Sequence, residues 1–261
     1  MNILLRAITT YKKHGIKHLL KKAIPSVKSP KIEHFKSIIP LFKGKTGIEI
    51  GGPSGLFLDQ GLCPLYKVIG RLDGCNFSTT TIWEGRIENK GDYNFYKDKP
   101  GTQYISEASD LNGLSDERYD FLLSSNCLEH VANPLKAIAE WKRVLKKGGI
   151  MLVAVPAKEY CFDHKRAVTT FEHLLEDAAN GIGEDDLTHL DEILELHDLS
   201  MDKPAGSFEQ FKARSLDNIH NRALHQHVFD TELLKQIFDH HGIETLRVWQ
   251  GRNHIILGRK K

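Results

Sequence analysis

The chain has 261 residues, of which 40% are hydrophobic and 27% charged, and its net charge is +2. That apolar content can bury the core of a large domain and excludes a globally disordered chain. Residues 1–32 hold eight Lys or Arg and no acidic residue, which leaves 28 basic against 34 acidic side chains in the other 229. A mildly acidic body argues against general nucleic-acid binding, which needs a basic face. The four cysteines, Cys63, Cys75, Cys127 and Cys161, form no C-x-x-C pair. Reduced thiols in the cytoplasm fit this better than a disulfide framework or a zinc site. No apolar run approaches the ~18 residues of a spanning helix, and the N-terminus lacks the pattern of a secretory signal.

In chain order, residues 3–24 read as a basic amphipathic helix. Leu4, Ile8, Tyr11, Leu19 and Ala23 can share a stripe, with Lys12, Lys13, Lys17, Lys21 and Lys22 largely elsewhere. Such a helix suits docking to an anionic membrane surface or a partner, and equally a packing helix with a solvated basic face. Residues 25–30 read as a linker, and 31–261 as one domain. Five β-prone runs follow: Lys45–Ile50, ending in Gly51-Gly52; Lys67–Leu72, closed by Asp73; Gln103–Ser106, followed by Asp110; Phe121–Ser124, followed by Ser125 and Asn126; and Ile150–Val155.

Between the fourth and fifth runs lies a helix. Asn133 suits its N-cap and Pro134 its first position, while Leu135, Ile138, Ala139, Trp141, Val144 and Leu145 give an apolar face. Lys146 and Lys147 suit its C-terminal end, and Gly148 its stop. Strands alternating with helices predict a Rossmann-like, doubly wound α/β fold with a mostly parallel sheet. Residues 157–220 read as a helical insertion rich in His, Asp and Glu. Thr231–His240 reads as a helix, and Glu244–Trp249 with His254–Leu257 as an antiparallel pair at one edge of the sheet.

In open α/β sheets, ligands bind outside the carboxyl ends of the strands. The first strand ends in Gly47-Ile48-Glu49-Ile50-Gly51-Gly52-Pro53-Ser54-Gly55, a turn whose glycines let backbone approach a ligand. Acidic residues at the next two strand ends, Asp73 and Asp110, can accept hydrogen bonds from ribose hydroxyls and an adenine amino group. The stretches Glu49-Ile50-Gly51-Gly52, Ser124-Ser125-Asn126-Cys127-Leu128-Glu129-His130-Val131 and Arg143-Val144-Leu145-Lys146-Lys147-Gly148-Gly149 resemble class I S-adenosylmethionine (SAM)-dependent methyltransferases. The resemblance covers residues 45–160 and resumes at about 225–259.

The resemblance implies SAM as cofactor. Glu49, Gly51, Gly52 and Gly55 would then shape the methionine pocket, Asp73 hold the ribose, Asp110 and Leu111 contact adenine, and Ser125 and Asn126 line the pocket. Pro53 departs from the pattern, since it stands where many members carry a glycine and has no N–H to offer. A nicotinamide-dependent oxidoreductase on the same fold is the main alternative, although glycines 51, 52 and 55 do not make G-x-G-x-x-G. A non-catalytic SAM-binding protein is the other.

The segment after the fifth run is the natural acceptor wall: Phe162-Asp163-His164-Lys165-Arg166, then Thr169-Thr170 and Glu172-His173. A hydroxyl acceptor needs a base near neutral pH, which histidine suits. His164 is the candidate base, Asp163 its orienter, and Arg166 a clamp for a polar or anionic substrate. Asp185 and His189 read as an i,i+4 surface pair. His225 and His227 would share a face on a strand, where they could line the pocket, bind metal or satisfy backbone groups. No recognised metal-ligand spacing links Asp185, His189, His225 and His227, so no metal is expected. The chain also resembles a bacterial subgroup with an FDH-x-R element, associated with surface-polysaccharide or related metabolite modification. That implies a small-molecule or glycan acceptor, methylated at a sugar hydroxyl or at a phosphate-like or phosphoramidate oxygen.

Overall fold

The computed structural model describes residues 31–83, 85–87 and 91–261. The basic helix expected over 3–24, with its proposed membrane contact, and the linker to Pro30 lie outside the described residues. The described chain falls into two compact units, one reaching to Glu107 and one spanning Ala108–Lys261.

In the first unit, a short helix α1 (Phe35–Ile38) precedes β1 (Thr46–Ile50), β2 (Arg71–Asn76), the short antiparallel pair β3 (Thr80–Thr81) and β4 (Gly85–Arg86), and β5 (Gln103–Ile105). β1, β2 and β5 are parallel with β2 in the middle, Ile48 opposite Asp73 and Gly74 opposite Gln103. Ile48, Ile50, Phe57, Leu65, Tyr66 and Leu72 are buried there.

The second strand starts later than the hydrophobic run suggests. Residues up to Gly70 are still in the approach, and the Gly70 N–H bonds Lys45 O at 2.9 Å. The chain crosses the Gly44 backbone so closely that a Cβ at Gly70 would lie 2.6 Å from Gly44 O. Pairing begins only beyond that crossing, so Asp73 lies inside β2 and Asn76 closes it.

The second unit carries β6 (Tyr119–Ser125), α2 (Pro134–Val144), β7 (Leu145–Pro156), α3 (Phe171–Asn180), α4 (Leu190–Leu196), α5 (Phe208–Leu216), α6 (Asn218–Asn221), α7 (Thr231–His240), β8 (Ile243–Trp249) and β9 (Asn253–Lys260). β6 and β7 are parallel, while β9 pairs antiparallel with both β7 and β8. Parallel strands with an antiparallel edge and flanking helices make this the expected Rossmann-like class.

The Asn133 side chain accepts from Lys136 N at 3.0 Å and Pro134 opens α2. Its buried face is Leu135, Ala137, Ile138, Trp141 and Val144, whereas Ala139 is exposed. The helix ends at Val144, before the lysines assigned to it. Leu145 already pairs with Tyr119, and a register shift between Tyr119 and Phe121 takes up the residues around Gly148, whose φ is +74°. Between β7 and β8 the segment is helical, around a small core of Ile193, Ala205, Phe211 and Leu224. No helix among the described residues is long and apolar enough to cross a membrane.

Trp141 is fully buried and its indole N–H donates to Ala108 O at 2.8 Å. Trp141→Ala should therefore lower the unfolding free energy by about 3–5 kcal/mol in urea denaturation. A loss under about 1 kcal/mol would contradict the packing of α2.

Candidate functional site

β1 delivers Glu49 to the glycine turn, fully buried. Its Oε1 accepts from Ser54 N at 3.0 Å, and its Oε2 accepts from the hydroxyls of Tyr66 at 2.6 Å and Tyr93 at 2.7 Å. A carboxylate taking three donors anchors the loop to the core beneath it. Gly51 has φ +76° and its N–H bonds Cys75 O at 2.9 Å. A Cβ on Gly52 would fall 2.1 Å from the Tyr93 hydroxyl, so only glycine fits there.

Pro53 follows through a cis peptide bond. Ser54 then caps a 3₁₀ turn, its Oγ accepting from Leu56 N at 3.2 Å. A Cβ on Gly55 would meet nothing within 4 Å, so the loop has an open side where backbone can meet a ligand. Glu49, Gly51, Gly52 and Gly55 are thus brought together. Tyr66 and Tyr93 were invisible to sequence reasoning, because neither stands at a strand end nor at a fixed offset from the glycines.

Asp73 departs from its expected place. It lies within β2, where its Oδ1 accepts from Thr102 N at 2.9 Å and pairs with Arg71 at 2.8 Å. Those bonds tie β2 to the segment entering β5. The side chain at the carboxyl end of β2 is Asn76, whose amide donates to Gly52 O at 3.1 Å. In the second unit, Asp110 Oδ1 accepts from Asn112 N at 3.1 Å. Leu111 is buried, with its N–H on Glu140 at 3.0 Å. Ser125 closes β6, and Asn126 follows with φ +50°, its Oδ1 accepting from Asn253 Nδ2 at 2.8 Å.

The expected pairing of His164 with Asp163 does not form. His164 Nε2 lies 3.0 Å from Asp198 Oδ2, with a third of its side chain exposed. Asp163 instead meets His225 Nδ1, 62 residues away. Arg166, expected as a substrate clamp, is 2% exposed, and it donates to His225 O at 2.7 Å, Gln226 O at 3.2 Å and Glu192 at 3.2 Å, with Asp163 at 3.5 Å. The physical reason is the chain's return: residues 225–226 come back over the segment after β7, and their carbonyls capture the guanidinium.

Around this pair lie Glu129, His130, Phe162 and Cys161. The rings of His130 and Phe162 pack on His225 at centroid distances of 4.6 and 4.4 Å. Burial disfavours the His225 cation, yet the charge and hydrogen bond of Asp163 outweigh it and raise its pKa. Burial also works against the Asp163 anion, but His225 and Arg166 hold its carboxyl below the usual range. Burial pushes Glu129 up to about 7, and its Oε2 has no hydrogen-bond partner among the described residues. Burial takes His130 down to about 3. The arrangement is a buried Asp–His pair with a second carboxyl beside it, which can take and hold a proton.

His225 and His227 do not share a face. Their segment is not a regular strand, and His227 joins His173, Asp177 and His189 in a separate cluster. His189 meets His173 rather than Asp185.

The sequence pattern of the methyltransferase domain family matches residues 29–248, most of the chain. The chain belongs to this methyltransferase family. An uncharacterised protein of Methanocaldococcus jannaschii is 43% identical over 51 residues, 20% of this chain. The chain covers 24% of the length of that curated relative.

Among solved structures, a SAM-dependent methyltransferase from Aquifex aeolicus is 14% identical, with TM-score 0.48 over 94% of this chain and 98% of that one. One from Methanosarcina mazei is 17% identical, with TM-score 0.46 over 88% and 98%. A Rhodobacter sphaeroides structure named for zinc-dependent alcohol dehydrogenases is 10% identical, with TM-score 0.53 over 90% and 92%. At such identities likeness speaks to the fold alone.

The Glu49 anchor yields a direct test. Tyr93→Phe removes one of its donors and should cost about 1–2 kcal/mol in denaturant unfolding, and Glu49→Ala at least ~2 kcal/mol, because buried donors lose their acceptor. Unchanged midpoints for both would remove the carboxylate as the anchor of the loop.

Proposed function

We propose that this methyltransferase methylates a hydroxyl of a sugar in surface-polysaccharide biosynthesis, with His225 as the general base and Asp163 as its orienter. The observation that carries the reading is the Asp163–His225 contact, buried against aromatic rings and braced by Arg166. Asp163 at Nδ1 holds the ring and leaves Nε2 as the nitrogen that accepts the proton of the acceptor hydroxyl. A neutral hydroxyl needs such a base. A phosphate-like or phosphoramidate oxygen would instead want an available cation, and Arg166 is committed to carbonyls and carboxylates. The hydroxyl is therefore the preferred acceptor.

The glycine turn suits the cofactor: its backbone has an open side at Gly55 and a rigid base at Glu49. Bound SAM supplies a methyl group already activated on a sulfonium. In this reading the chain holds it with Gly51, Gly52 and Gly55 at the methionine end. Asn76, at the carboxyl end of β2, takes the ribose role first assigned to Asp73. The protein's remaining tasks are alignment and exclusion of water, and alignment alone supplies several kcal/mol, up to about 7–11 in favourable cases.

The test is methylation of a panel of glycosides and nucleotide sugars, with each product read by mass. His225→Asn should reduce turnover by roughly 10²-fold or more with SAM affinity little changed, while His164→Ala should stay near wild type. The reverse ranking would return the base to His164. Asn76→Ala should weaken SAM binding by about 1–3 kcal/mol in calorimetry. Unchanged affinity would place the ribose elsewhere.

A further inference from the structure

We propose that His173, Asp177, His189 and His227 bind one divalent transition-metal ion, with Zn²⁺ the best fit, and that this ion fastens the helical segment to the strand-like stretch carrying His225. One ligand atom from each of these four residues lies within 4.8 Å of all the others. His173 Nε2 stands 3.1 Å from His189 Nε2 and 3.3 Å from Asp177 Oδ2, and Asp177 Oδ2 stands 3.6 Å from His227 Nε2. Four ligands at zinc bond lengths around a tetrahedral centre would be about 3.4 Å apart, and the three separations scatter about that value. Three imidazoles and a carboxylate form a borderline donor set that suits Zn²⁺ and its neighbours rather than Mg²⁺ or Ca²⁺.

The cluster is poorly explained as a hydrogen-bond network. Asp177 is 7% exposed, yet its Oδ2 receives no hydrogen bond from the described residues. His227 is 1% exposed. Its Nε2 donates to Ala132 O at 3.1 Å, and ligation through Nε2 would exchange that bond for the ion and move the ring hydrogen to Nδ1. A buried carboxylate oxygen left in this way costs free energy that an ion at the centre would offset.

The topology explains both why four protein ligands close the site and what the ion would do. His173 and Asp177 are one turn apart on α3, so the helix presents both to the same side. His189 sits at the N-cap of α4. His227 stands two residues beyond His225, in a stretch already stitched to the start of α3 by Thr169 N to Val228 O at 2.9 Å and Val228 N to Thr169 Oγ1 at 3.0 Å. Four protein ligands leave no open position for a reacting water, so the role is positional rather than chemical. The site does not depend on the identity of the methyl acceptor.

The experiment uses the full chain without an affinity tag, stripped with chelator and titrated with Zn²⁺ alone and, separately, Co²⁺ alone. The expected results are close to one equivalent of bound metal per chain and the intense visible bands of tetrahedral Co²⁺. The melting temperature should rise by roughly 5–10 °C at a hundredfold excess over the dissociation constant. His173→Ala and His189→Ala should lose the Co²⁺ bands and the thermal shift while keeping their far-ultraviolet circular dichroism and SAM affinity. Wild-type protein that takes up less than a tenth of an equivalent at micromolar Zn²⁺, or whose melting temperature does not move, overturns the proposal without recourse to the variants. Retained Co²⁺ bands in both variants overturn it as well, by placing the ion elsewhere.

Discussion

The segment that follows β7 depends on one buried guanidinium. Arg166 gathers two backbone carbonyls from the returning segment, a carboxylate from α4 and the carboxylate of Asp163 around a single cation. A charge at that depth is stable only when nearly every N–H finds an acceptor, and its removal would leave Asp163 with His225 as its remaining ion-pair partner among the described residues. The same contacts decide geometry. By fixing the carbonyls of 225 and 226, the guanidinium sets where His225 turns. By lying beside Asp163 it stabilises the anion that holds the His225 ring. An arginine that looks from the sequence like a substrate contact thus braces the Asp163–His225 pair.

The glycine turn of the first unit works by a parallel device of opposite sign. There a buried anion, Glu49, collects a backbone N–H and two tyrosine hydroxyls. The tyrosines reach it from later in the chain, so the loop is not held by its own sequence but clamped from outside it. Gly52 is required because the clamp leaves no space for a side chain, which is a tighter constraint than the φ freedom usually credited to such glycines. Pro53 can replace a glycine in this loop for the same reason. The anchoring donors are Ser54 N and the hydroxyls, and none of them is the amide that proline lacks.

What the sequence revealed was what local physics encodes. The glycine turn at 51–55, the Asn133-Pro134 start of α2, the helix at Thr231–His240 and the closing antiparallel pair each rest on residues a few positions apart, and periodicity or cap chemistry places them. What it hid was set by distant packing. The true start of β2 depends on Gly70 crossing the Gly44 backbone, which moved Asp73 from a strand end to a strand interior. The partners of Asp163 and His164 are 62 and 34 residues away. Adjacent Asp and His side chains in sequence point in different directions once the chain leaves a regular strand, so neighbourliness along 163–164 was a misleading cue. A signal was nevertheless present: histidines at 225 and 227, flanked by Leu224, Val228 and Phe229, have to find polar partners when buried.

On the proposed reading, the two histidine clusters would divide labour in a way that follows from how little the chemistry demands. A sulfonium methyl is activated before it reaches the protein, so acceleration comes mostly from alignment and from a dry site, with a base adding about 10²–10⁴. Alignment requires rigidity, and the helical segment has only a small core of its own from which to obtain it. On that reading, the short irregular stretch carrying His225 would be held at two points, by Arg166 on one side and by the ion-bound His173–Asp177–His189–His227 cluster on the other, through strong, directional interactions rather than area. On this view the alternation of His225 and His227 is functional spacing: one residue is free to exchange a proton because its neighbour two positions on is fixed.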